Sequence, residues 1–245
     1  MTFEKPIKGN PHQFVLKQHF HTAHSIGKFH GSDEKLDVYI KETGEIERKD
    51  KRSSVFCAKR NWDQKAEVCL MADIEKSFHD EVNNIKPFHS RNHSAISEYF
   101  ILWRIRHNFH ISRMDDVVLN GISGSGLTKE AEEVSESKGT LFVRDHGLVP
   151  ARFMTGIQVL AQLDQQRSGV KGLKWGLLKA RDGEFIVADC YYAMTFIPIS
   201  PNLAFCAGYQ DMEIDRASVA NANKQSVEMA SEFYFAKDLS QCPLA

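Results

Sequence analysis

Several stretches of this chain carry side chains whose types and spacing suit chemistry. Asp189 is a lone carboxylate directly after the apolar run Phe185–Ala188, where a buried sheet should open to solvent. An acid in such a place is either a working group or an internal lock, because a buried carboxylate needs donors or cations to stay ionised. His19, His21 and His24 crowd one six-residue run, HFHTAH, and are the candidate metal ligands. Arg104, Arg106, His107 and His110 share one helical stretch. At about 100° per residue, Arg104 and His107 lie on one face, Arg106 and His110 are only about 40° apart, and Arg104 and His110 about 240°. The most basic run is Glu47 to Arg52, followed by Lys59-Arg60-Asn61-Trp62. It reads as a solvated loop, or as a phosphate-contacting patch beside Trp62.

Composition limits what these groups can belong to. The 245 residues make one large domain or two small ones, with enough apolar material for a core. Thirty-one Lys and Arg nearly cancel 32 Asp and Glu, so the chain has no global positive field, and only a local basic patch could meet a polyanion. Five scattered cysteines, never spaced Cys-x-x-Cys, argue against a disulfide framework or a cysteine-rich zinc site and for a reduced compartment. The opening residues lack the apolar core of a signal peptide, and no run of about 18 apolar residues occurs, so a soluble cytoplasmic protein with no membrane partner is expected. Gly121, Gly124 and Gly126 lie in a polar loop with no strand feeding a helix, and Ser200 lacks a nucleophile elbow.

The elements that must position these groups follow from periodicity. Residues 12–20 read as a short strand, and 35–50 as a hairpin with Val38, Ile40 and Ile46 on its apolar face and Thr43-Gly44 at its turn. From Asp63 to Lys86, Leu70, Ile74, Phe78, Val82 and Ile85 form one helical stripe, closed by Pro87. The helix from about Ser94 to Ser112 is apolar nearly all round and should be central. Residues 120–139 are Gly- and Ser-rich, then acidic from Thr128, and read as a mobile insertion or subdomain boundary within a single domain. Pro150 opens a helix with Phe153, Ile157, Leu160 and Leu163 inward and Gly169 at its end. Asp182-Gly183 predicts a hairpin of Trp175–Leu178 with Phe185–Ala188. Asp215 caps a last helix to about Ser231, and Phe233–Phe235 closes the fold as a strand. The class is α+β: a leading strand and hairpin, a central helix pair, and a C-terminal antiparallel sheet flanked by helices.

Short motifs along nearly the whole chain carry a family resemblance. HQFVLKQHF, KLDVYIKETGEI, Ile74-Glu75, Arg104 or Arg106, and FIVADCYYAMTFIPISP resemble the signature stretches of a bacterial and phage family catalogued as domain of unknown function 4238. Cys190-Tyr191 stands where that family has Asn-Pro after the acid, so the turn differs here. The resemblance implies a set of polar positions, and His12, Glu75, Arg104 and Asp189 become the candidate catalytic residues. A histidine, two carboxylates and an arginine supply a base, an acid or metal ligand, and a cation for a developing oxyanion. The expectation is a hydrolase acting on nucleic acid or nucleotides in a bacterial defence or phage-borne setting. The alternative is a non-catalytic binding or sensing module whose polar cluster is structural. HFHTAH is also similar to the His-x-His-x-Asp-His run of metallo-β-lactamase-like hydrolases, except that Ala23 replaces the aspartate. The Arg and His positions on the apolar helix are similar to the HEPN ribonuclease motif, with Arg106 to His110 one residue too short. Any cofactor is unknown from the sequence.

Overall fold

The computed structural model describes residues 3–124 and 126–245 and has the expected α+β architecture. The leading part contains β1 (Lys17–His19), α1 (Ala23–Gly27), β2 (Leu36–Ile40), β3 (Glu45–Lys49) and β4 (Cys57–Lys59), with β1 and β4 paired antiparallel. The predicted 35–50 hairpin forms as β2 and β3, and Gly44 takes the positive φ of +73° that its turn requires. Ile46, however, is exposed, because β3 is the edge strand of its sheet.

Asp63 caps the next helical run by accepting the Ala66 amide at 3.1 Å. That run is α2 (Gln64–Ala66), a π-helical turn at Glu67–Met71, and α3 (Ala72–Asn83). Ile74, Phe78 and Val82 are buried as their spacing implies, whereas Ile85 lies beyond the helix end and is exposed. Next comes α4 (His93–Ile111), which Asn92 caps through the Ala95 amide. It is buried almost all round, packed between α3 and a later helix, so the central position read from its composition holds.

Residues 120–139, expected as an insertion, contain α5 (Lys129–Ser137) after β5 (Val117–Val118). β6 (Leu148–Val149) pairs with β5 and leads through Pro150 into α6 (Ala151–Val170), the second partner of α4. Phe153 and Leu163 are buried, but Ile157 and Leu160 are exposed. The inward face is centred on Thr155, Gly156 and Val159, and Gly169 lies inside the helix.

The strands that follow are β7 (Trp175–Ala180), β8 (Val187–Ala188), β9 (Phe196–Ser200), β10 (Leu203–Ala207) and β11 (Met212–Ile214). Then come α7 (Arg216–Met229), capped by Asp215, and β12 (Phe233–Ala236). They build two four-stranded sheets, ordered β11-β7-β10-β9 and β3-β2-β12-β8. The hairpin expected at Asp182-Gly183 does not form. Gly183 has the turning φ of +86°, but β7 pairs with β10 and β11 while β8 crosses to β12 in the other sheet. A turn residue specifies a change of direction; only the register of the following run specifies its partner. Among the described residues no helix is long and apolar enough to cross a membrane.

Candidate functional site

The expected constellation of His12, Glu75, Arg104 and Asp189 resolves into separate groups around α4. Glu75 meets Arg106 and not Arg104: the Arg106 guanidinium donates to Glu75 Oε1, to the His19 carbonyl at 3.3 Å and to Met71 Sδ at 3.3 Å. Glu67 Oε2 lies 3.7 Å away and also accepts from the Trp62 indole. The π turn brings Glu67 and Met71 to one arginine, as such bulges do when they re-aim side chains. Arg106 is 1% exposed. Burial works to lower its pKa, but Glu75 and Glu67 prevail and raise it. Burial raises the Glu67 carboxyl despite Arg106.

Asp189 reaches α4 from another side. It accepts the backbone amides of Ser231 (2.9 Å), Glu232 (2.6 Å) and Phe233 (3.3 Å), and its own carbonyl accepts the Trp103 indole at 2.8 Å. His107 Nε2 sits 3.5 Å from Oδ2, an electrostatic contact and not a well-formed hydrogen bond. Burial would raise the Asp189 carboxyl, but His107 and the amides hold it below its ordinary value. His107 Nδ1 is 2.8 Å from the Tyr192 hydroxyl. Arg104 stands over the Tyr192 ring at 5.8 Å, so it is near Asp189's group without touching the acid. Arg106 and His107 are consecutive and therefore about 100° apart on the helix, which is why Glu75 and Asp189 serve different sides of it. His12 packs against Phe14 in the leading segment and joins neither group.

The three candidate metal histidines do not converge. His19 Nε2 bonds to the Lys51 carbonyl, His21 is buried against Trp103 with Nδ1 on the Tyr99 hydroxyl, and His24 pairs with Asn83 at the surface beside His79. Burial pushes His21 down to about 3 and His79 down to about 4. Among the described residues no three His, Cys, Asp or Glu side chains are placed to hold a metal ion. His110, considered with Arg106, turns instead to Glu232 at 2.9 Å. Trp62, expected beside a basic surface patch, is fully buried beneath Arg106.

The open polar site lies elsewhere. A cleft of about 760 Å³ is lined by Arg60, Arg113, Arg144 and Arg152 together with Glu4. A second, of about 590 Å³, shares Phe3 and Arg113 with it and adds Lys5, Lys49 and Lys59. α5 underlies this groove. Its Glu132, Glu133 and Glu136 are buried, and Glu132 holds Arg144 through two bonds of 2.7 and 2.6 Å. Glu136 takes Arg60 at 2.8 Å and Arg152 at 2.9 Å. In the sequence the acidic stretch from Thr128 reads as the start of a helix in a mobile insertion or subdomain boundary. The available signal was its geometry: positions 132, 133 and 136 share one side, where Glu132 and Glu136 take three arginines from elsewhere in the chain and Glu133 takes the Ile7 amide and faces Lys129. Burial would raise the Glu4 carboxyl, but Arg152, Lys129 and Arg144 bring it down to about 2. No family model, curated protein or solved structure matches this chain.

Proposed function

We propose that the protein is a binding module for the phosphate backbone of single-stranded nucleic acid, and that the groove running past Phe3 and Arg113 is its interface. The observation that carries this reading is charge placement. A chain that is almost neutral gathers seven cationic side chains along two adjoining clefts; Glu4, Glu47, Asp115 and Asp116 lie among them, and the buried Glu132 and Glu136 pair with Arg144, Arg60 and Arg152 from beneath. Lys5, Lys59 and Arg113 have no salt-bridge partner among the described residues. An electropositive groove with an aromatic between its halves is the arrangement that tracks a phosphodiester strand and stacks a base.

The test is a fluorescence-anisotropy titration with a labelled single-stranded oligonucleotide over a series of salt concentrations. The expected result is binding whose affinity falls linearly on a log–log salt plot, with a shallower slope for Lys59→Glu and Arg113→Glu. No binding at low salt, or binding indifferent to both substitutions, overturns the reading.

One observation favours a second, hydrolytic reading. The Tyr192 hydroxyl, His107 and Asp189 form the order nucleophile, base, orienting acid, with the Arg104 guanidinium beside the tyrosine. Against it, His107 and Asp189 are sealed from water, and burial raises the Tyr192 phenol when an attacking oxygen needs the opposite. An oligonucleotide-cleavage assay on the wild-type protein and Tyr192→Phe decides it. Cleavage that disappears with the hydroxyl establishes this reading, and intact substrate with both proteins removes it.

A further inference from the structure

The groove contains a place where several cations aim at one carboxylate from a distant part of the sequence. Glu4 Oε1 accepts from both Lys129 Nζ and Arg144 Nη2, the latter at 2.6 Å, and Oε2 accepts from Arg152 Nη1 at 2.5 Å. Arg60 contributes a bond to the Glu4 carbonyl at 3.0 Å. Counting the charges of this network, Lys129, Arg144, Arg152 and Arg60 balance Glu4, Glu132, Glu133 and Glu136. The three α5 glutamates are buried and belong to the framework. Glu4 does not: its side chain is 32% exposed. Residues 3–16 take part in no strand or helix: the strap is anchored toward its far end by buried Phe14 and the Leu16 carbonyl on the Arg60 amide, by the Ile7 amide on Glu133, and at Glu4 by side-chain ion pairs. The cleft it borders is open, and Arg60, 5% exposed in its wall, has an Nε with no hydrogen-bond partner.

We infer that Lys129, Arg144 and Arg152 form a phosphate-binding site whose built-in occupant is the Glu4 carboxylate, so that the strap competes with the ligand and holds the site shut. Three donors converging on two oxygens suit one phosphate group as well as a carboxylate; Arg144 and Arg152 each offer it one charge-assisted N–H, while Glu132 and Glu136 hold the rest of each guanidinium in place. Without Glu4 the network carries one uncompensated positive charge, which a phosphate replaces. The site opens by exchange of anions and not by protonation, since the Glu4 carboxyl stays ionised far below neutral pH. This inference rests on the groove reading for its choice of phosphate over carboxylate, because the cationic lining continues away from Glu4 through Arg113 toward Lys5 and Lys59. A strap that must be displaced lowers apparent affinity by the fraction of time the site is closed.

The experiment uses the full chain and two probes, inorganic pyrophosphate and the labelled oligonucleotide. By isothermal titration, Glu4→Gln should bind pyrophosphate at least about tenfold more tightly than wild type. Pyrophosphate should also raise its melting temperature, since ligand bound only to the folded state stabilises it. The double variant Glu4→Gln/Arg152→Met should lose that gain. Equal pyrophosphate affinity in wild type and Glu4→Gln overturns the inference, as does a gain that survives Arg152→Met. Two mixed results separate the claims: tight pyrophosphate binding by Glu4→Gln with no oligonucleotide binding by either protein leaves the site and removes the nucleic-acid reading. Oligonucleotide binding with no Glu4 effect on either probe does the reverse.

Discussion

The polar groups gathered on α4 and those gathered in the Phe3–Arg113 groove use the same residue types, arginines and carboxylates with a few histidines, but their relation to water is opposite. On or against α4, Arg106, His107 and Asp189 are each at most 1% exposed; they are held by backbone amides, a thioether and an indole, and only their outer partners Glu75, Glu67 and Tyr192 reach toward the surface. In the groove, Glu4, Lys129 and Arg144 keep roughly a quarter to a third of their side-chain surface in solvent, and Glu4 and Arg144 line an open cleft. The contrast teaches where to look for function. A sealed ion pair can be read only by the fold it fixes, whereas one at a cleft wall can exchange its partner for a ligand.

The largest effect that sharpens the contrast is Asp189→Ala. It strands three backbone amides and removes the anion beside His107, which should cost about 3–5 kcal/mol, the range for breaking a buried charge interaction. Glu4→Ala, on a half-buried carboxylate shared by three cations, should cost less, about 1–2 kcal/mol. Urea denaturation of both measures the difference, and equal losses would erase the distinction between the two regions. Asp189→Asn should fall between them, since the amide keeps one acceptor oxygen but turns a donor toward amides that already donate.

Comparable in size is the response to acid. His21 and His79 have folded-state pKa values lowered to about 3 and about 4, below the ordinary 6.5 of an unfolded histidine. The unfolded chain therefore binds more protons than the folded one between those values, so stability is present above pH 6.5 and lost as pH falls below it. Each group adds a slope of up to about 1.4 kcal/mol per pH unit. Glu4, lowered from 4.5 to about 2, adds a second loss only between those values. Chemical denaturation from pH 7 to pH 4 should show falling stability in wild type and a flatter curve in His79→Gln. A flat wild-type curve would mean that the buried imidazoles take up protons without resistance.

How much of this could be read beforehand divides along the same line. Helix periodicity placed α3, α4 and α7, because an apolar stripe or an all-round apolar run demands burial whatever the partner. Asp189 was legible as a buried acid in need of donors or cations, whereas Glu75 came into view only through the resemblance. The pairings were not legible. Arg104 and Arg106 differ by two positions, about 200° around the helix, and the packing of α3 against α4 after the π turn brings Glu75 to Arg106. β7 and β8 were joined by a sound turn signal, yet the sheets they enter are decided by β10 and β12, far along the chain. Of the groove, only the part contributed by Lys49, Lys59 and Arg60 was legible as a basic stretch: Glu4, α5 and Arg152 are distant pieces, and each one alone reads as an ordinary solvated charge.

A smaller effect bears on the open region alone. Arg113 lines both clefts and has no salt-bridge partner among the described residues, so Arg113→Glu should weaken oligonucleotide binding about tenfold, roughly 1.4 kcal/mol. The melting temperature should hardly move. A large fall in melting temperature would move Arg113 from the interface to the framework.

The smallest effect concerns the one hydroxyl that links the sealed region to solvent. Tyr192 is 43% exposed, and its oxygen bonds to the buried imidazole of His107. Tyr192→Phe keeps the ring under Arg104 and removes only that bond, so the expected loss is about 1 kcal/mol, the net worth of a neutral hydrogen bond. His107 keeps its contact with Asp189, and Asp189 keeps its three amides, so the turn at Ser231–Phe233 stays locked. Binding in the groove should be unchanged, because neither cleft includes Tyr192. A loss of several kcal/mol would show that the imidazole depends on this hydroxyl for its place, which would make the surface tyrosine part of the buried lock. A change in groove affinity at unchanged stability would join the two regions that the contrast holds apart.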